Sequence, residues 1–148
     1  MSRNKSELEN RLIEGGHEME VRVYYEDTDF SGVVYHSNYL KYMERSRTEW
    51  LRHLEIFHTD LENDDSAFAI HRMQLQFGPP AKIDDLLTVR TMLNKLTGAR
   101  SYLRQEVLRK GDDGQEVLLC GADVEVAFIN HGGGAKRFPD ELREKLGG

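Results

Sequence analysis

The amino-acid sequence predicts an α+β domain in which one long helix packs on a curved antiparallel sheet of about five strands. Three observations lead there. Residues 37–54 carry a helical apolar stripe of Tyr39, Met43, Trp50 and Leu54. Four strand-like stretches follow at about 67–77, 86–96, 99–110 and 115–129, each bounded by turn residues. The last of these alternates, with Leu118, Cys120, Ala122, Val124, Val126 and Phe128 on one face and Asp123 and Glu125 on the other. An amphipathic helix needs an apolar sheet face to cover it, and this strand offers one.

Taken in order, residues 1–18 are a polar, flexible extension. Their first 17 residues end in Gly15-Gly16-His17 and suit a short frayed helix or disorder. A strand then starts at Val21, with Val21, Val23 and Tyr25 on one face. In the long helix, small Ser46 takes the place of a fourth large residue. Lys41, Glu44, Arg45, Thr48 and Arg52 form the polar face, and Ser37 or Asn38 supplies the N-cap oxygen. Residues 55–66 are a polar connection with room for a short helix. The first of the four later strands is closed by Gly78-Pro79-Pro80, the second by Thr97-Gly98. Gly111-Asp112-Asp113-Gly114 makes a hairpin turn between the third and fourth. The domain proper spans 19–130, and 131–148 is a Gly-rich loop followed by a charged tail with a short surface helix. There is no internal repeat.

Composition narrows the class. The 148 residues are enough for one domain with its own core. A net charge of −6 argues against a general nucleic-acid or anionic-membrane binder, while leaving room for a local basic patch. A single Cys120 excludes an internal disulfide and suits a reducing compartment. No apolar run has the length of a signal sequence or a membrane span, so a cytoplasmic location is expected.

Residues 24–39, YYEDTDFSGVVYHSNY, are the chemically informative span. A strand ends, a carboxylate-rich turn follows, and a helix opens at His36-Ser37-Asn38. Backbone N–H groups and the positive end of a helix dipole are thereby aimed at a spot close to a free carboxylate. As a calcium loop, Asp27, Asp29, Ser31 and Gly32 fit positions one, three, five and six, but Asn38 stands where a bidentate Glu belongs, so no metal is expected. As a plain turn, Asp27 or Asp29 would bond nearby backbone N–H groups. As a site, Val33 and Val34 would exclude water around Asp29 and push its pKa upward unless hydrogen bonds compensate. Composition alone leaves turn and site both open.

The span closely resembles the signature of hot-dog-fold acyl-CoA thioesterases of the 4-hydroxybenzoyl-CoA thioesterase-like superfamily, and within it the Tol–Pal-associated branch. The resemblance is carried by residues 21–29, by Gly32-Val33-Val34-Tyr35-His36, by Asn38-Tyr39, and by Glu44-Arg45-Ser46-Arg47-Thr48-Glu49 with Leu51-Arg52. Pro80-Ala81 and Asp84-Asp85 match as well, and the similarity covers about 19–130. It implies the hot-dog fold, a homodimer or tetramer with sites between protomers, an acyl-CoA or acyl-carrier-protein thioester as substrate, a possible link to cell-envelope Tol–Pal machinery, and no cofactor. It also implies that Asp29 is the catalytic carboxylate, that His36 is a catalytic histidine, and that the backbone N–H of His36 polarises the carbonyl. Tyr25 matches a site-associated tyrosine, and with Gly32, Val33, Tyr35 and Asn38 makes up the expected substrate-binding set.

That chemistry is self-consistent. Asp29 attacks the thioester carbonyl or activates a water. The helix-start amide stabilises the developing oxyanion. The thiolate leaving group needs little acid assistance. There is no G-x-S-x-G motif, and His17, His53, His58, His71 and His131 are too scattered to read as a metal cluster. Lys82, Arg90, Lys95, Arg100 and Arg104 could bind CoA phosphates, though each reads more simply as a solvated strand edge. Gly132-Gly133-Gly134 lacks the context of a phosphate cradle. Two rivals remain: a hot-dog hydratase or dehydratase, whose pattern places Asn-Pro and a shorter gap between Asp and His, and a non-catalytic acyl-ligand scaffold.

Overall fold

A computed structural model describes residues 5–147 of the chain. Six strands form one fully antiparallel sheet: β1 (Asn10–Ile13), β2 (Gly16–Arg22), β3 (Ala67–Phe77), β4 (Leu86–Leu96), β5 (Arg100–Lys110) and β6 (Glu116–Ile129), in the spatial order β1-β2-β4-β5-β6-β3. Helix α1 (His36–His53) lies on one face, with the short α2 (His58–Asn63) and α3 (Asp140–Leu146) at its end. The four later strands and the long helix fall where periodicity and turn residues predict. Tyr39, Met43, Ser46 and Trp50 are buried beneath α1, joined by Tyr42 and Leu51. They meet Leu87 and Val89 of β4, Leu103 and Val107 of β5, and Ala122 and Val124 of β6.

Ser46 does more than leave room. Its Oγ lies 3.0 Å from Thr91 Oγ1, and Gln105 Nε2 donates both to Thr91 Oγ1 (2.8 Å) and to the Met43 carbonyl (3.0 Å). All three polar side chains are fully or almost fully buried, so these bonds are what make their burial tolerable.

Three expectations are corrected. The predicted face of β6 includes Leu118, but a bulge interrupts the ladder: Val107 pairs with Cys120 and Leu108 with Leu118, skipping Leu119. Leu119 is buried and Leu118 is 37% exposed, since one extra residue inverts the alternation. Residues 5–17 are not a frayed helix: Asn10–Ile13 and Gly16–Arg22 form a hairpin, which raises the strand count to six. Residues 1–4 of that segment lie outside the described residues. The tail beyond Asn130 does not stand apart from the core either. Phe138, Leu142 and Leu146 are buried at four-residue spacing, and Phe138 stacks 5.1 Å from Phe128.

The N-terminal hairpin is tied to α1 by polar groups. Asn10 Nδ2 donates to Glu49 Oε1 (2.8 Å), so its Oδ1 is the acceptor for His17 Nε2 at 2.6 Å. His17 therefore carries its proton on Nε2 and leaves Nδ1 buried without a partner. Burial first, and the neighbouring His53 second, lower its pKa from 6.5 to about 4. Between those values the unfolded chain holds more protons at this site than the folded one. Its contribution is thus complete above pH 6.5 and lost as pH falls towards 4. Glu20 and Glu49 are held below 4.5 despite the opposing cost of burial, by Lys5 and by Asn10 and Arg52 respectively, and their contributions fade only below that value. The urea midpoint of the wild type is expected to fall between pH 6.5 and 4.5, with a clearly shallower fall in His17→Gln. Equal slopes would remove His17 from this account.

Candidate functional site

Strand β2 stops at Arg22 because local side chains outcompete the ladder beyond it. Asp27 Oδ2 accepts the Tyr24 N–H (2.9 Å) and Thr28 Oγ1 donates to the Tyr25 carbonyl (2.7 Å), winding Tyr25–Asp27 into one 3₁₀ turn. Tyr25, expected on a strand, is consequently 81% exposed on this turn.

Asp29 opens the next turn. Its N–H donates to the Val33 carbonyl (2.9 Å), and its carbonyl accepts from Gly32 N–H (3.1 Å). Its Oδ1 accepts from Ser31 N–H at 2.8 Å, leaving Oδ2 uncommitted among the described residues. Gly32 has φ +77°, a left-handed conformation that favours glycine, with open space around it. The two valines do not flank the acid as predicted. Val34 turns into the core and Val33 bridges to Lys82, while Asp29 itself is exposed on the single chain.

Beneath the turn lies the loop that precedes β4. Val34 N–H donates to the Ala81 carbonyl (2.8 Å), and Ala81 N–H donates to the Tyr39 hydroxyl (3.0 Å). Asp85 Oδ2 accepts from Lys82 N–H (2.9 Å) and from Arg109 (3.1 Å). These supports were legible in the sequence only as the matching Pro80-Ala81 and Asp84-Asp85. Under Asp27, burial and then the Asp27 carboxylate hold the Tyr42 phenol well above its ordinary pKa, so it stays protonated.

The start of α1 differs from expectation in an instructive way. The N-cap is Tyr35, and no side chain caps the helix. Because α1 begins at His36, Asn38 falls inside the first turn, and its Nδ2 donates instead to the Asp27 carbonyl (2.8 Å), which also accepts from Tyr35 N–H (3.1 Å). The helix start is thereby pinned to the acid-bearing turn. No acceptor among the described residues takes the N–H groups of His36 and Ser37. The imidazole of His36 is exposed, 4.3 Å from the Tyr35 ring and 6.1 Å from Phe77 at the end of β3.

One corner of the fold thus gathers Asp29, Gly32, Val33, Tyr35, His36 and Asn38, with Asn38 acting on backbone and Tyr25 on the outer side of the preceding turn. Phe77 and Lys82, which the sequence does not single out for this corner, border it. The corner carries a carboxylate oxygen without a hydrogen bond among the described residues and two unengaged amides at the positive end of an 18-residue helix.

The chain resembles known proteins over most of its length. The thioesterase-like superfamily matches residues 23–146. The acyl-CoA thioesterase YbgC of Haemophilus influenzae is 39% identical over 122 residues, covering 82% of this chain and 86% of that protein. Its Helicobacter pylori namesake is 42% identical over 116 residues, covering 76% and 85%. Among solved structures, a probable thioesterase from Bartonella henselae superposes with a TM-score of 0.76 at 41% identity, covering 84% of this chain and 99% of that one. With an antiparallel sheet wrapped on one long helix and matches that cover most of its length, the chain has the hot-dog fold and belongs to the thioesterase-like superfamily.

Proposed function

We propose that this thioester hydrolase cleaves an acyl-CoA thioester to a free carboxylic acid and CoA, with Asp29 as nucleophile or general base. The supporting observation is the uncapped start of α1: the amides of His36 and Ser37 are unengaged, beside a turn whose carboxylate keeps one oxygen free. The His36 amide polarises the carbonyl, and such a donor contributes about 3 kcal/mol to the transition state in comparable sites. The His36 imidazole orients the attacking water or touches the thioester. Tyr25, Gly32, Val33, Tyr35 and Asn38 shape the substrate's surroundings, Asn38 by holding the turn.

Of the basic residues considered for CoA phosphates, Arg90 is committed to Glu18 and Glu116, Arg100 to Glu125, and Arg104 to Glu106 and Asp123. Lys95 lies over the Tyr102 ring. Lys82 borders the corner with its ammonium in no ion pair among the described residues, and it is the cation best placed for the cofactor-like end of the substrate.

The same reading includes a homodimer or tetramer. Strand β3 is an 11-residue sheet edge with one side unpaired and Ile70 and Phe77 exposed, a surface suited to self-pairing. A link to Tol–Pal machinery rests on the signature's resemblance alone, and a cytoplasmic location goes with it. No helix among the described residues is long and apolar enough to cross a membrane.

Thiol release from a panel of acyl-CoAs tests the activity, with Asp29→Asn as the paired variant. Turnover by wild type that vanishes in the variant is the expected outcome. Binding without turnover by either protein would favour a scaffold. A single turnover in ¹⁸O-water bears on the two roles of Asp29: label in its carboxylate marks the anhydride route, and absence of label there disfavours it.

A further inference from the structure

Two histidines far apart in sequence meet where β2 packs on the last turn of α1. The ring centres of His17 and His53 are 5.2 Å apart, with the planes inclined at 54°.

Each ring has one nitrogen committed and one free. His53 Nδ1 lies 2.8 Å from the Glu49 carbonyl, which can only accept, so Nδ1 carries the proton and Nε2 keeps its lone pair. His17 donates from Nε2 to Asn10 Oδ1, which leaves its lone pair on Nδ1. That nitrogen sits in a fully buried side chain and has no hydrogen-bond partner among the described residues. A buried acceptor left unmet is costly. The two lone pairs cannot serve each other, since neither brings a proton; a cation can serve both. Burial, then the charge of His53, lower the pKa of His17 to about 4, so at neutral pH a proton is not that cation.

Metal-bound imidazoles almost always donate their other N–H to an oxygen that fixes ring and tautomer, and both histidines already do so. Two imidazoles on one tetrahedral zinc, each nitrogen about 2.0 Å from the ion, have ring centres about 5 Å apart.

We propose that His17 Nδ1 and His53 Nε2 bind one late transition-metal ion, such as zinc(II), which staples the N-terminal hairpin to α1. Imidazole nitrogen favours zinc, nickel and copper over magnesium and calcium. No group of three or more His, Cys, Asp or Glu among the described residues could hold an ion, so the chain supplies two ligands. Water completes the shell from the side of exposed His53. Glu49 and Glu18 are the carboxylates that act on His17. The oxygens of Glu49 are taken by Asn10 and Arg52, and those of Glu18 by Arg11 and Arg90, so both add negative charge without ligating. Strands β4, β5 and β6 separate β2 from the β3 edge, so the site stands clear of self-pairing there. It goes beyond thioester hydrolysis and does not rest on it.

The test is calorimetric titration of the untagged, chelator-stripped full chain with zinc chloride. One ion per chain is expected, with no saturable heat from magnesium chloride. In imidazole ¹⁵N spectra, zinc should move Nδ1 of His17 and Nε2 of His53 far more than the nitrogens that carry protons. Loss of an outer partner alone weakens metal sites by about 10- to 100-fold, so His17→Gln and His53→Gln should each weaken zinc at least about tenfold. His53 is exposed, so His53→Gln decides the matter should His17→Gln fail to fold. Zinc should also raise the melting temperature of wild type and not that of His53→Gln. Asp29→Asn and His131→Gln should bind zinc like wild type, so failure of the thioesterase reading and failure of this one are distinguishable. Affinity unmoved in His53→Gln, ¹⁵N shifts confined to His36, His58, His71 or His131, or no saturable binding would each overturn the inference; the first two would mark an adventitious ion only.

Discussion

Asp29→Asn is expected to lower kcat by about 10²- to 10⁴-fold, the usual contribution of a positioned proton-transfer group. The substitution isolates chemistry from structure. Asn keeps an Oδ1 that can accept the Ser31 N–H, so the Asp29–Gly32 turn retains its bonds, and the melting temperature should hardly move. The amide neither attacks a carbonyl nor takes a proton from water, so both proposed roles of Asp29 are lost together. Acyl-CoA affinity, read by titration calorimetry, should change only a few-fold. Asp27→Asn is the matched control: that carboxylate is engaged with Tyr24 N–H, which an amide oxygen can also accept, so thiol release should continue at near wild-type rate. A drop of less than about tenfold in Asp29→Asn would remove Asp29 as the acting carboxylate, since that is well below what such a group supplies.

Gly16→Ala is expected to cost about 3 kcal/mol of stability, at the upper end of overpacking effects because the obstruction is backbone. Gly16 begins β2, and a Cβ there would sit 1.8 Å from the Thr91 carbonyl oxygen and 3.0 Å from Met92 Cα. No rotamer relieves a clash with the neighbouring strand's main chain, so β2 and β4 must separate where Gly16 pairs with Met92. The disturbance reaches Thr91, whose hydroxyl holds both Ser46 and Gln105 under α1. Gly114→Ala provides the comparison. Gly114 has φ +82° but open space, so only the left-handed backbone penalty of about 1 kcal/mol applies. Urea denaturation of the two variants should show Gly16→Ala the more damaged by a clear margin, and similar midpoints would refute the steric account.

Residues whose neighbours in sequence are also their neighbours in space were the legible ones. The breaks at Gly78-Pro79-Pro80, Thr97-Gly98 and residues 111–114 bound three strands within a residue of their observed ends, because glycine and proline act on the local backbone. Leu118 was misassigned because a bulge is a property of the β5–β6 pairing and leaves no mark in an alternating run. The β1–β2 hairpin was missed because its first strand, Asn10–Ile13, has only four residues, two of them polar, and is mostly exposed. Its hold on α1 comes from Asn10, itself bonded to His17, reaching Glu49 across the sequence. Residues 131–147 look charged and loop-like, yet Phe138, Leu142 and Leu146 find a place only once β6 and α1 have built the surface they cover.

By itself the sequence determined the class of fold, the long helix with its buried stripe, four strands and the acid-turn-helix span, since periodicity and turn chemistry are written in consecutive residues. Only the tertiary structure decided which donors at the start of α1 stay unengaged. Asn38 was free to cap the helix until the fold placed the Asp27 carbonyl within 2.8 Å of its amide. The bond across that corner diverts the side chain, leaves the helix end uncapped, and sets the acid's turn against it. A hydrogen-bond donor takes whichever acceptor three-dimensional packing brings near, and no pattern along the chain records that choice.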